Sequence, residues 1–418
     1  MGVLRSRNYR LYLFGQIISL PGTWLQVVAQ AWLVLELGGS GTDLGITVAL
    51  QALPVLLLGT WGGAIADAVD RRRLLVATQA AQGGLALALG LLTIFGLVTL
   101  WMVWVLAFGL GLARAVDSPA RQAFVSELVD REDLARAISL NSTVVAAARM
   151  VGPAAGGVVI ALVGIGICFI VNGASFIAVL VALLAMDRSS LRSSGVSTRP
   201  EPGAVRAGIR YVRGERGLLV PLLMMVIVGT LAYEFQVTIP LLARGVFGLD
   251  AAGFGLLYAA MGAGAVLAGL GLGGIVAPRL RTLTVASVIF GLALAGAALS
   301  PGPVVAGAFL LVAGGASVIF TSMTNATLQL RSDPALQGRV IALYIVAFLG
   351  STPIGGPLVG AVGQLAGGRA ALGIGAVGCL LAAGLAVVMG RAVRSREGLL
   401  PAARRNVRPT FCSVERQS

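Results

Sequence analysis

Apolar positions in this chain neither alternate nor gather in short stripes. They continue for about twenty residues, stop at brief polar punctuation, and begin again. Runs of that length suit α-helices crossing a bilayer, which need ~20 apolar residues each. They fall at 11–36, 43–66, 74–97, 99–119, 138–163, 165–186, 218–243, 251–276, 282–300, 303–326, 339–363 and 369–392. An all-α membrane protein of twelve transmembrane helices is predicted, with both termini on one side. The gaps are short apart from 120–137 and 187–217. The expected organisation is a six-helix bundle over 1–186, a linker over 187–217, a second six-helix bundle over 218–393 and a basic tail over 394–418. The tail is polar, contains Pro401 and Pro409, and is expected to be disordered.

Composition agrees: mean hydropathy is +0.92, and charged residues make up 11% of the 418, against roughly 25% in soluble domains. The net charge of +14 does not call for nucleic acid. All 31 basic residues are arginines, and apart from Arg149, Arg244 and Arg369 they fall at the ends and loops on one side of the predicted spans. That asymmetry obeys the positive-inside rule and places both termini in the cytoplasm of a cell whose inner membrane holds the protein. Arg5, Arg7 and Arg10 precede a first span too long for a secretory signal and lacking a cleavage site, so it reads as a retained helix. Tyr9, Tyr12 and Trp101, near span ends, read as interfacial anchors.

Histidine is absent, which removes the Ser-His dyad, His-ligated haem and His-containing zinc sites. The three cysteines have no paired spacing, so no disulfide or metal site is expected. No P-loop sequence occurs. No cofactor and no enzymatic activity are expected; gradient-driven transport of a small molecule is the leading reading.

The two halves echo one another. Asp130 to Arg136, followed by Ala137-Ile138-Ser139-Leu140, resembles Asp333 to Arg339, followed by Val340-Ile341-Ala342-Leu343. Gly152-Pro153 and Gly157 correspond to Gly356-Pro357 and, one residue out of step, Gly360; Gly62 to Asp67 is echoed by Gly273 to Pro278. Parallel six-helix repeats around a central site suit alternating access.

The layout and repeat, the run RSRNYRLYLFGQIISLPGTWLQ from Arg5, ADAVDRRR from Ala66, SPARQAFVSELV from Ser118 and RMVGPAAGG from Arg149 resemble the major facilitator superfamily. The branch is that of enterobactin-type siderophore exporters and macrolide efflux proteins. The resemblance covers about 5–395 and implies two pseudo-symmetric six-helix bundles. It implies export of a small amphipathic molecule (a drug, siderophore or secondary metabolite) in exchange for protons. A monomer in the lipid bilayer is expected. A nutrient importer of the same fold, or a non-transporting membrane scaffold or sensor, are the alternatives.

The superfamily's loop after the second span is matched by Gly63, Asp67, Arg71 and Arg72, while Ala68 replaces an arginine and Asp70 a glycine. This implies a gate in which Asp67 docks on the N-terminus of the eleventh span, where the helix dipole favours an anion. Arg71 is expected to pair with Asp117. The same arginines also serve topology alone. Gly152, Pro153, Gly156 and Gly157 resemble an exporter motif, a tight and pliable seal or ordinary close packing.

Arg149 and Glu234 lie deep in apolar spans, where charge is costly and marks function by default. Glu234 is a candidate proton carrier; Arg149 would hold a substrate anion or pair with Glu234. Thr23, Gln26 and Gln30 share one face of the first span with Ser19; Thr230 and Thr238 lie in line with Glu234, and Asn325 ends the tenth span. In the superfamily, spans 1, 4, 7 and 10 line the cavity, so these side chains contact substrate or bond helix to helix.

Overall fold

The computed structural model describes residues 3–130, 132–187, 204–272, 277–334 and 336–397. Among them there are helices and no strands, and twelve spans are long and apolar enough to cross a membrane. That is what the bilayer demands, since in hydrocarbon every backbone group must find its partner within the segment. The first half comprises α1 (Arg7–Glu36), α2 (Gly41–Ala68), α3 (Arg71–Ile94), α4 (Leu100–Leu128), α5 (Leu134–Val163) and α6 (Ile165–Leu184). A connecting helix, α7 (Ala204–Gly214), leads to α8 (Arg216–Ala232), α9 (Phe235–Gly245), α10 (Ala251–Leu272), α11 (Leu280–Leu299), α12 (Pro303–Arg331), α13 (Gln337–Leu349), α14 (Thr352–Ala366) and α15 (Gly368–Glu397). α8 with α9, and α13 with α14, are each one span broken in the middle.

Local chemistry starts these helices where they start. Ser40 and Asp43 form a capping box on α2, the Ser40 N–H donating to the Asp43 carboxylate at 2.7 Å; Asp70 caps α3 by accepting from the Arg73 N–H at 2.9 Å. Pro353, in the first turn of α14, suits a helix start because its missing N–H would be unpaired there anyway. Two departures from the sequence expectation stand out. α4 runs to Leu128 and α5 begins at Leu134, so the gap expected over 120–137 is mostly helix. Tyr9 and Tyr12 are buried, not interfacial: the Tyr9 hydroxyl donates to the Ala137 carbonyl at 3.0 Å, and Tyr12 packs on Phe124. Trp101 is exposed as an anchor would be. The Gly273 to Val276 part of the second-half echo, and all of the tail beyond 397, lie outside the described residues.

Within the first half, α1 packs on α5 and α6, α2 on α4, and α3 on α4 and α6; within the second, α10 and α11 pack on α12, and α15 on α8 and α11. The halves meet along two crossings, α2 on α14 and α5 on α10. Both lie toward the face opposite the termini. Neither α4 nor α12 packs against the other half, and α2 barely touches α13, so the halves part toward the terminal face. Ser6 (to the Leu128 carbonyl, 2.8 Å) and Asn8 (to the Asp187 carbonyl, 2.8 Å) tie down that end of the first half. α7 lies against α8 and α13, with the Tyr211 hydroxyl accepting from the Asp333 N–H at 3.0 Å.

Candidate functional site

At the terminal face the charge cluster folds back on its own half. Arg71 pairs with Asp67 at 3.0 Å and with Glu127 at 2.5 Å. The expected partner Asp117 is instead paired with Arg121, and accepts from Thr78 (2.8 Å) and Gln79 (2.7 Å). The physical reason is the length of α4. Asp117 lies eleven residues before its end at Leu128, about 16 Å at ~1.5 Å per residue, whereas Glu127 is level with Arg71. Arg72 donates to the carbonyls of Leu183 (2.5 Å) and Leu184 (2.8 Å), satisfying the end of α6. Gly63 faces open space.

Deeper in the first half the polar stripe binds helix to helix. Gln26 accepts from Asn172 (2.5 Å) and Gln30 from Gln51 (3.0 Å), and Arg121 reaches Gln16 at 2.9 Å. The Thr23 and Thr230 hydroxyls donate to carbonyls in their own helices, Ser19 and Val226. Asn325 accepts from Gln329 one turn on, and Thr238 is buried. Arg114, which sequence reasoning assigned to the loop side by counting charges between spans, lies within α4 and reaches Gln51 at 3.4 Å. The signal was present: an arginine three residues before Asp117, inside an apolar run. Gln236 was missed as well. It lines a small cavity with Gln30, Thr47 and Gln51, where the second half abuts the first.

Glu234 occupies the break between α8 and α9. It is 2% exposed, and its Oε1 has no hydrogen-bond partner among the described residues. Two helix beginnings converge on it: it is the N-cap of α9, and Thr352 at the start of α14 faces its carboxyl. A Cβ on Gly355 would stand 2.9 Å from Oε1 and would strike the Thr230 carbonyl, so only glycine lets α14 approach α8 this closely. Arg149 does not pair with Glu234. Its guanidinium lies over the Trp24 ring at 5.3 Å, with Nε buried and without a partner. Tyr258 on α10 is within electrostatic reach of both charges, which places them around one interior region on opposite halves.

The helix 5 glycines divide between two neighbours. Gly152 and Gly156 let α1 approach, at Pro21, Trp24 and Leu25, while Gly157 meets Ala251 and Ala252 of α10 across the interface; the Pro153 carbonyl meets Gly255 there. The other crossing is its counterpart, with Gly41 against Gly360 and Gly45 against Gly356. Small residues let backbones touch, as membrane helices require when the lipid is as apolar as their side chains. Around these crossings Trp32 stacks on Phe254 (5.9 Å between centroids, 18° between planes), Arg244 covers Trp32 at 5.7 Å, and the Thr42 hydroxyl donates to Gln364 at 2.6 Å.

Comparison with known proteins bears on what this arrangement does. Residues 1–410 match the family described as transmembrane secretion effector. A staphyloferrin A transporter of Staphylococcus aureus is 27% identical over 280 residues, covering 66% of this chain and 70% of that protein. Macrolide efflux protein A of Streptococcus pyogenes is 23% identical over 367 residues, 84% of this chain and 89% of the relative. Among solved structures, a bacterial homologue of the human lysosomal transporter Spinster, inward-facing and occupied, superposes with a TM-score of 0.72 at 15% identity, covering 92% of this chain and 97% of that one. A bacterial homologue of the iron transporter ferroportin, also inward-facing, gives 0.70 at 15% identity over 93% and 99%. At such identities the likeness carries the fold alone. With twelve spans in two six-helix halves and a family match over nearly its whole length, the chain belongs to the transmembrane secretion effector family, multi-pass major facilitator transporters of small molecules rather than enzymes.

Proposed function

We propose that the protein exports a small amphipathic molecule, a drug, siderophore or other secondary metabolite, in exchange for protons carried by Glu234, with both termini in the cytoplasm. The orientation rests on the arginines of the terminal face. Export is suggested by relatives named for efflux. The observation that carries the coupling is the Glu234 carboxyl, buried at a helix break with one oxygen unpartnered.

An ionised carboxylate there attracts the positive N-terminal ends of α9 and α14 and holds the two breaks together; a protonated one attracts them far less. Since α9 and α14 carry most of the second half's contacts with α1 and α2, the ionised acid keeps the face opposite the termini shut until bound substrate opens it. A proton taken up there replaces the departing substrate, is carried back as that face closes, and leaves at the terminal face. Substrate enters while the terminal face is open. Closing that face brings Asp67, at the end of α2, to α13, whose first turn has no side-chain cap of its own. Arg149 and Arg114 are the cations of the substrate path.

The test begins with cells lacking their own exporters, in which the chain is expected to confer efflux of at least one compound of these classes. With that compound, proteoliposomes containing a trapped pH dye should show proton movement opposite to substrate. Glu234→Gln should bind substrate yet move no protons. Equal proton flux in both proteins refutes the coupling; uptake along the same gradient refutes the direction.

A further inference from the structure

Outside the central path, the second half has a cleft of about 610 Å³ between α10, α11 and α12. It exists because the residues at its floor are small: Gly264 and Ala268 of α10 face Gly315 of α12, and the two backbones touch where Gly264 meets Leu311. The walls are apolar except at one end. There Arg281, in the first turn of α11, enters the lining; it is exposed and has no ion-pair partner among the described residues. No acidic side chain lines the cleft. On α11 the lining runs from Arg281 to Ile289, eight residues or about 12 Å. That is close to one leaflet of a hydrocarbon core ~30 Å thick.

We propose that this cleft is a binding site for an anionic phospholipid of the terminal-face leaflet, one acyl chain lying along α11 and the phosphate on Arg281. Three features select that occupant over a neutral apolar one. The cation stands at headgroup level and the apolar channel continues for one chain's depth below it. Arg279, the N-cap of α11, adds a second positive charge, and the helix start there has no side-chain cap, so backbone N–H groups are available to phosphate oxygens. Basic pockets between membrane helices bind acidic headgroups through the same combination. The site is independent of Glu234 and of the direction of transport.

Native mass spectrometry of the delipidated full-length protein, titrated with phosphatidylglycerol or phosphatidylcholine, tests the assignment. Wild-type protein is expected to retain one phosphatidylglycerol adduct at concentrations where phosphatidylcholine is lost. Arg281→Gln should weaken that adduct about fivefold, the worth of one arginine at a membrane surface, while Arg281→Lys keeps it. Ala268→Leu, which fills the cleft, should abolish it. Thermal melting without added lipid shows whether each variant is folded; should Ala268→Leu melt early, Thr282→Leu at the mouth replaces it. Equal retention of the two lipids, or an adduct that survives both cleft-filling variants, overturns the proposal.

Discussion

Gly45 offers the sharpest test of how the two halves are held. A Cβ built there would lie 2.5 Å from the Gly356 carbonyl carbon and 2.7 Å from the Pro357 nitrogen, where ordinary contact begins near 3.4 Å. The shortfall, about 0.9 Å, is against backbone on both sides, so no side chain can rotate away. Overpacking of this kind costs about 1–3 kcal/mol. The cost falls on the state in which α2 crosses α14 and disappears when that face opens, so it acts as a bias between two states of about 5- to 150-fold. Gly45→Ala is therefore expected to open the face opposite the termini. Spin labels at Leu97 and Val304, both exposed on that face, should show a longer-distance population growing at the expense of the shorter one. Gly59 lies on the same helix with nothing within 4 Å of its would-be Cβ, and Gly59→Ala should leave the distribution unchanged. Identical distances for wild type and Gly45→Ala, or the same shift for both substitutions, would refute the reasoning.

Further outcomes follow from the charge network and the aromatic stack. Asp117→Asn removes the partner of Arg121 inside the first half, and breaking such a pair costs about 3–5 kcal/mol; the purified variant should melt well below wild type. Asp67→Asn, at the exposed end of α2, should change stability by no more than about 0.5 kcal/mol while slowing transport, and transport at the wild-type rate would remove Asp67 from the gate. Phe254→Leu keeps an apolar side chain, though a smaller one, but loses a stack worth about 0.5–1.5 kcal/mol. It should shift the same label pair toward the open form less than Gly45→Ala does, and an unchanged distance would show that the stack does not hold the gate.

What could be read in advance divides along physical lines. Spans are legible because apolar length is a one-dimensional property, and the two crossings are legible as glycines because close approach demands them whatever the neighbour is. Which neighbour each glycine meets is another matter: Gly156 and Gly157 are adjacent in sequence, yet one faces α1 within its own half and the other α10 across the interface. Ion-pair partners were misread for a related reason. Pairing Arg71 with Asp117 assumed that a span ends where its apolar run ends, but polar residues at the interface do not stop a helix, and α4 continues two to three turns further to present Glu127. Arg114 escaped for a different reason: it falls inside the 99–119 run, yet was counted with the loop charges beyond it. The break at Ser351 had a signal, since Gly350-Ser351-Thr352-Pro353 has a helix-ending glycine followed by a proline suited to a helix start. The break at Tyr233 and Glu234 had none beyond the acid itself.

In the proposed mechanism these two breaks give one acid of the second half leverage over that half's contacts with α1 and α2. An unbroken span transmits motion along its full length, but a span interrupted at mid-membrane lets its outer segment pivot while the inner one stays packed. α9 and α14 are such outer segments, of eleven and fifteen residues, and α14 makes the glycine crossing with α2 while α9 touches α1 and α2. Their inner ends meet at Glu234, Thr352 and Gly355. The corresponding spans of the first half, α1 and α5, are continuous through their middles despite Pro21 and Pro153. They present Trp32 and Gly157 as fixed surfaces. The halves are thus alike in topology and unlike in the continuity of these spans, unbroken in the first half and interrupted in the second. In the proposed mechanism a charge change at the hinge acts at once on α14, which crosses α2, and on α9, which touches α1 and α2, while the α5–α10 crossing remains as the pivot.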